Sequence, residues 1–222
     1  GFNLDELSQM LEKTYSAYKN YKYKTKIHSI SVFDDYAIAQ VTDKTYAKVY
    51  PDNNKNNQDK IGILTGKSVY NVYFKKINDT WKIIYDDILM EETSLKYGIA
   101  NKIDINLSAP VFIKEGQDYD LALKINKPDN IIALGSISNE EIIYPTKDYD
   151  EKFRKISHEG DLERIVKANK NNNNEYAIAS VGFTKVSINE EETKAKIEIL
   201  GLAYIMKRIN MENKKVMNDK KL

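Results

Sequence analysis

Along most of this chain apolar and polar residues alternate with a period of two, the pattern of strands that bury one face. The opening segment differs. Leu4, Leu7, Leu11, Tyr15 and Tyr18 recur at helical spacing and predict one amphipathic helix over residues 4–19. Asn3 can cap it, Glu6 sits three residues on, and Phe2 and Leu7 are placed for a hydrophobic staple. Residues 21–33 then alternate, with Tyr21, Tyr23, Thr25 and Ile27 on one face and Lys22, Lys24 and Lys26 on the other. Asp34-Asp35 turns the chain into a second strand over residues 36–50, and the polar run 51–60 reads as an exposed loop. Residues 61–77 form a long third strand, Asn78-Asp79 a tight turn, and residues 81–90 a fourth strand.

Residues 91–102 mix charges without period and mark a boundary. Strands resume at residues 104–114, 119–126, 131–138 and 141–144. Short helices are predicted at 150–156 and 161–169, the second with Leu162, Ile165 and Val166 inward. Two long strands, 176–188 and 194–209, meet at an acidic turn over residues 189–192. The expected fold class is α+β. An N-terminal helix packs on a curved four-stranded antiparallel sheet in a first domain (residues 1–97). A second strand-rich α+β domain with short helices (98–210) and a charged tail (211–222) follow.

Composition narrows the chemistry more than it names it. The 222 residues carry a formal net charge of +1, which argues against nucleic acid as the main partner. There is no cysteine, so thiolate chemistry and sulfur-ligated metals are excluded. No stretch reaches the roughly 20 apolar residues of a membrane helix. The chain begins with Gly1 and reads as a trimmed product, for which an extracytoplasmic, bacterial origin is the expectation.

The run Tyr70-Asn71-Val72-Tyr73-Phe74-Lys75-Lys76-Ile77-Asn78-Asp79-Thr80-Trp81-Lys82-Ile83 resembles the final hairpin of the nuclear transport factor 2-like superfamily, including SnoaL-like proteins. The helix at 4–19 followed by strands is similar to the back half of that cone-shaped, cystatin-like fold. The likeness spans residues 1–92 and lacks the two N-terminal helices that usually help close the cone. It implies a shortened cone that pairs into a homodimer through the outer face of its sheet. It also implies one of two roles: a small-molecule isomerase or dehydratase, or a module that binds proteins or ligands without chemistry.

Gly62 to Ser68 has three residues between its glycines where a phosphate loop needs four, and it lies inside a strand. His28 and His158 fall in different halves, and neither has a partner at ligand spacing, so neither a metal nor any other cofactor is expected. The Lys22, Lys24, Lys26 face reads as solvated edge protection rather than a nucleic-acid surface. In the fourth strand one member of Asp86-Asp87 must point to each sheet face. A desolvated aspartate there could act as general base, with Tyr73 or Tyr85 hydrogen-bonding a developing oxyanion. Asp87, Asp86 and Tyr73 are therefore the candidate catalytic residues, and Tyr73, Tyr85 and Asn71 the candidate ligand-binding ones. The preferred expectation is a non-enzymatic binding or interaction protein for a small molecule or protein. The alternative is an isomerase or dehydratase built on a buried Asp/Tyr pair.

Overall fold

Tight polar turns fold the first half of the chain into a meander. Asp34 has φ 51°, and Asn78 and Asp79 have φ 50° and 60°, the left-handed backbone that Asn and Asp tolerate in two-residue hairpins. The structure, a computed structural model, describes residues 4–18, 20–50, 61–142, 152–157, 160–189 and 194–212. It consists of α1 (Leu4–Ala17), β1 (Lys22–Phe33), β2 (Tyr36–Val49), β3 (Gly62–Ile77), β4 (Thr80–Gly98), a 3-10 turn (Ile99–Lys102), β5 (Asp104–Ser108), β6 (Phe112–Ile113), β7 (Asp118–Asn126), β8 (Ile132–Glu141), β9 (Arg154–Lys155), β10 (Asp161–Lys167), β11 (Glu175–Asn189) and β12 (Lys194–Met211).

One large sheet runs in the order β1-β2-β3-β4-β12-β11-β8-β9, with β6 pairing in parallel on β12. Strand β4 is long enough to serve both ends. Its residues 80–97 pair with β3, and its last seven also pair with β12 from Gly98↔Gly201 to Glu92↔Lys207. Gly98 ends the strand at φ 56°, and a Cβ there would meet the Leu200 carbonyl, so only glycine lets the chain turn out of the sheet at that point.

Period-two alternation then assigns the faces. Tyr23, Asp43, Tyr70, Asp86 and Glu91 share one face of the large sheet, while Lys22, Lys24, Lys26, Lys44 and Lys96 share the other. On the lysine side of β12, β11 and β8 an apolar group gathers: Ala203, Ile205, Ala177, Val181, Phe183 and Ile137. They pack against a second sheet, β10-β7-β5, whose inner residues include Tyr119, Leu121, Leu123, Ile125, Ile105 and Leu107. This β-sandwich holds the main core, with Leu121, Leu123 and Phe183 fully buried. Each such side chain contributes about 1.5–3 kcal/mol by leaving water.

The α+β expectation is overturned. The described chain is nearly all β, and α1 does not pack on the sheet: Leu11 is 46% exposed and Tyr15 55%. The helical periodicity of residues 4–17 forms the helix, but Leu11 and Tyr15 of its stripe stay largely exposed, and Tyr15 and Tyr18 reach Tyr21 just ahead of β1. The staple and cap at Phe2 and Asn3 lie outside the described residues, as do the loop 51–60, the turn 190–193 and the tail from 213. The second half is a sandwich with no helix longer than the 3-10 turn among its described residues. Residues 161–167, expected as a helix, are β10: Leu162 and Val166 turn inward while Ile165 is 74% exposed. Pairing with the apolar β7 outweighed a local i, i+3, i+4 spacing. Similarly, residues 154–155 are a short strand against β8.

Candidate functional site

A charged residue stands in the buried phase of β2. Ala37, Ala39, Val41 and Ala47 all turn to the tyrosine face and are buried, and Asp43 falls in the same register with only 7% of its surface exposed. Its neighbours follow from pairing. Tyr23 lies diagonally across on β1, Ser68 is opposite on β3, and Tyr70 is two residues beyond. Tyr70 donates a hydrogen bond of 2.5 Å to Asp43 Oδ2, and the Tyr23 hydroxyl donates a short one to the same oxygen. Asp43 Oδ1 is buried and has no hydrogen-bond partner among the described residues.

Burial and these bonds to Asp43 raise the pKa of both phenols, so Tyr23 and Tyr70 stay protonated and remain donors across the physiological range. Tyr21 is also held above its ordinary value, first by burial, with its Thr45 hydrogen bond working in the opposite direction. Its ring packs edge-on against Tyr15 at 5.5 Å and beside Tyr18 at 6.3 Å. Thus, among the described residues, tyrosine rings bring the end of α1 against the start of β1.

These groups frame a cleft of about 380 Å³ on the tyrosine face. Tyr18, Tyr21, Tyr23 and Tyr70 supply its aromatic wall, Leu64 and Ile88 its apolar patch, and Thr45, Ser68 and Thr93 its hydroxyls. Asp43, Asp86 and Glu91 supply three carboxylates. Gly66 keeps the floor open, since a Cβ there would run into Thr45 Oγ1. Glu91 is already engaged, accepting from the Tyr176 hydroxyl at 3.0 Å and lying 3.8 Å from Arg208. A second cleft of about 330 Å³ opens on the lysine face, but its charged members are paired. There Lys96 Nζ donates to the Ile103 carbonyl at 3.2 Å and Glu92 meets Lys207 at 3.4 Å.

The residues singled out from sequence divide between the faces. Asp86 lines the tyrosine-face cleft and is exposed. Asp87, Asn71, Tyr73 and Tyr85 lie on the lysine face, where Asn71 pairs with Asp87 and Tyr73 with Tyr85. The Tyr73 and Tyr85 rings sit 5.5 Å apart, and Tyr85 is 59% exposed. Asp86 and Tyr73 therefore do not meet. His28 is exposed and shares a 2.8 Å hydrogen bond between its Nε2 and Thr42 Oγ1, while His158 lies outside the described residues. Gly62 to Ser68 sits within β3.

Sequence reasoning missed Asp43, although a signal was present. In Ala37, Ala39, Val41, Asp43, Thr45, Ala47 a carboxylate interrupts an otherwise apolar register, which is costly unless the group is bonded or used. Comparison with family models, with curated proteins and with solved structures finds no match. The resemblance of residues 70–83 gains no support from these comparisons, and nothing in them opposes it. No helix among the described residues is long and apolar enough to cross a membrane.

Proposed function

We propose that the chain is a non-enzymatic binding module whose binding surface is the tyrosine-face cleft around Asp43. The observation that supports this reading is the buried, unpartnered Oδ1 of Asp43 at the edge of an open aromatic cleft. Leaving a buried polar atom unmade costs about 1–3 kcal/mol, which a bound donor would recover. Pockets that combine an apolar lining with a few convergent polar groups are the usual form of a ligand site.

The isomerase or dehydratase reading finds less to rest on. It needs an aspartate and a tyrosine aimed at one reacting centre, and Asp86 and Tyr73 lie on opposite faces. Asp87 does share a face with Tyr73 and Tyr85, but that surface is open to water rather than sealed.

Amide chemical-shift mapping of the labelled chain against a small-molecule fragment set tests the proposal. Shifts are expected at Thr45, Gly66, Ser68 and Thr93, with the fragments unchanged after prolonged incubation. Shifts confined to the Asn71, Tyr73, Asp87 surface, or chemical conversion of any fragment at a rate abolished by Asp87→Asn, would overturn it.

A further inference from the structure

Resting on the reading of the cleft as a binding site, we infer that its ligand carries a protonated primary amine on a short aliphatic stem. Among the described residues that line the cleft there is no lysine, arginine or histidine, and the hydroxyl protons of Tyr23 and Tyr70 are already committed to Asp43 Oδ2. Beside the hydroxyls of Tyr18, Ser68 and Thr93, which can donate or accept, what remains is acceptor capacity at Asp43 Oδ1 and the Asp86 carboxylate. An ammonium group offers three donors and no acceptor, so it matches this set without leaving a group of its own unpaired.

Charge and shape point the same way. A 93% buried carboxylate is stabilised by a cation far more than an exposed one, because little water screens the pair. Four tyrosine rings line the same space, and the electron-rich faces of such rings attract ammonium ions. Leu64 and Ile88 lie alongside and can take an alkyl stem. A quaternary ammonium would use the rings but could not donate to Oδ1. A neutral alcohol could donate but would leave the charge of Asp43 uncompensated.

The test is titration of the intact chain, read by the Thr45, Gly66 and Ser68 amides, with n-butylammonium, n-butanol and butyltrimethylammonium. Butylammonium is expected to bind at least about tenfold more tightly than either of the others. Asp43→Asn is expected to remove most of that preference, while the lysine-face amides stay unmoved. The wild-type series stands without any variant, so a misfolded Asp43→Asn leaves the test intact. Nα-acetyl-lysine N-methylamide distinguishes the sources: binding equal to butylammonium assigns a lysine side chain, and loss of binding assigns a free amine. Equal binding of butanol and butylammonium at the cleft would overturn the inference and leave the binding reading standing. Silence of the cleft amides toward all three probes, where other fragments shift them, would overturn it too. Silence toward every fragment would take down both.

Discussion

Among the described residues each half of the large sheet buries one carboxylate, and the two are treated in opposite ways. Glu175 sits at the end of the sandwich, 1% exposed, with every oxygen satisfied. Tyr119 donates to its Oε2 at 2.7 Å and Asn139 at 3.1 Å, while the Asn169 backbone and side-chain amides donate to Oε1 at 2.7 and 2.8 Å. Asp43 is nearly as buried, yet both its donors crowd one oxygen and the other has none among the described residues. A completed network fixes structure, whereas a half-completed one inside an open cleft is the mark of a position kept for something that arrives. The surroundings match. Around Glu175 two sheets close over an apolar core, and around Asp43 the sheet is a single layer with Ile27, Ile30, Val32 and Ile83 more than half exposed.

The sharpest way to break this comparison is to remove each carboxylate and measure unfolding in urea. Glu175→Ala strands the buried Tyr119 hydroxyl and takes an acceptor from the partly buried Asn139 and Asn169 amides, and is expected to cost about 3–5 kcal/mol. A loss below about 1 kcal/mol would mean that the network carries no structural weight. Next comes the packing contrast. Leu123→Ala in the sandwich, with no exposed surface, is expected to cost about 2–5 kcal/mol. Ile30→Ala, already 61% exposed on the single-layer side, should change stability by no more than about 0.5 kcal/mol. Comparable losses at both positions would show that the tyrosine face is covered in solution.

Asp43→Asn is the smaller and more telling change. The asparagine carbonyl can still accept from Tyr23 and Tyr70, and the substitution removes a buried charge, so stability should fall by less than about 1 kcal/mol or rise slightly. A loss as large as that of Glu175→Ala would make Asp43 a structural residue like its counterpart.

The contrast also explains which parts of the molecule were legible in the sequence. The turns of the four-strand meander were, because Asp34-Asp35 and Asn78-Asp79 name themselves, but the fourth strand, expected to end at residue 90 before a boundary at 91–102, runs on to Gly98 and pairs there with β12. Helix α1 was readable as a helix but its packing was not, since an apolar stripe states that something should be covered without saying by what. Strand β10 was misread because Leu162, Ile165 and Val166 fit a helix turn locally, and only the long-range register with β7 decides otherwise. As for the site, Asp86 was placed on the correct strand but Asp43 was passed over. Its meaning depends on Tyr23 and Tyr70, respectively 20 residues before and 27 after it, converging on one oxygen.

The smallest expected effect tests whether the Glu175 network reaches beyond its own bonds. The Glu140 carboxyl is held above its ordinary value of 4.5, first by burial and next by the nearby Glu175 charge, with Arg164 opposing both. Between 4.5 and that raised value the folded chain binds more protons than the unfolded one, so Glu140 makes stability decline as pH rises through this window. Glu140→Gln removes that contribution. Relative to wild type the variant should therefore gain stability on going from acid to neutral pH, by an amount kept small because Glu140 is only partly buried. Repeating the comparison in a Glu175→Gln background should shrink the gain, since the second of the two raising influences is then absent. Urea midpoints for the four proteins across the acid limb measure both effects. A wild type that instead gains on Glu140→Gln as pH rises would reverse the sign, placing Glu140 among groups stabilised by their charge and uncoupling it from Glu175.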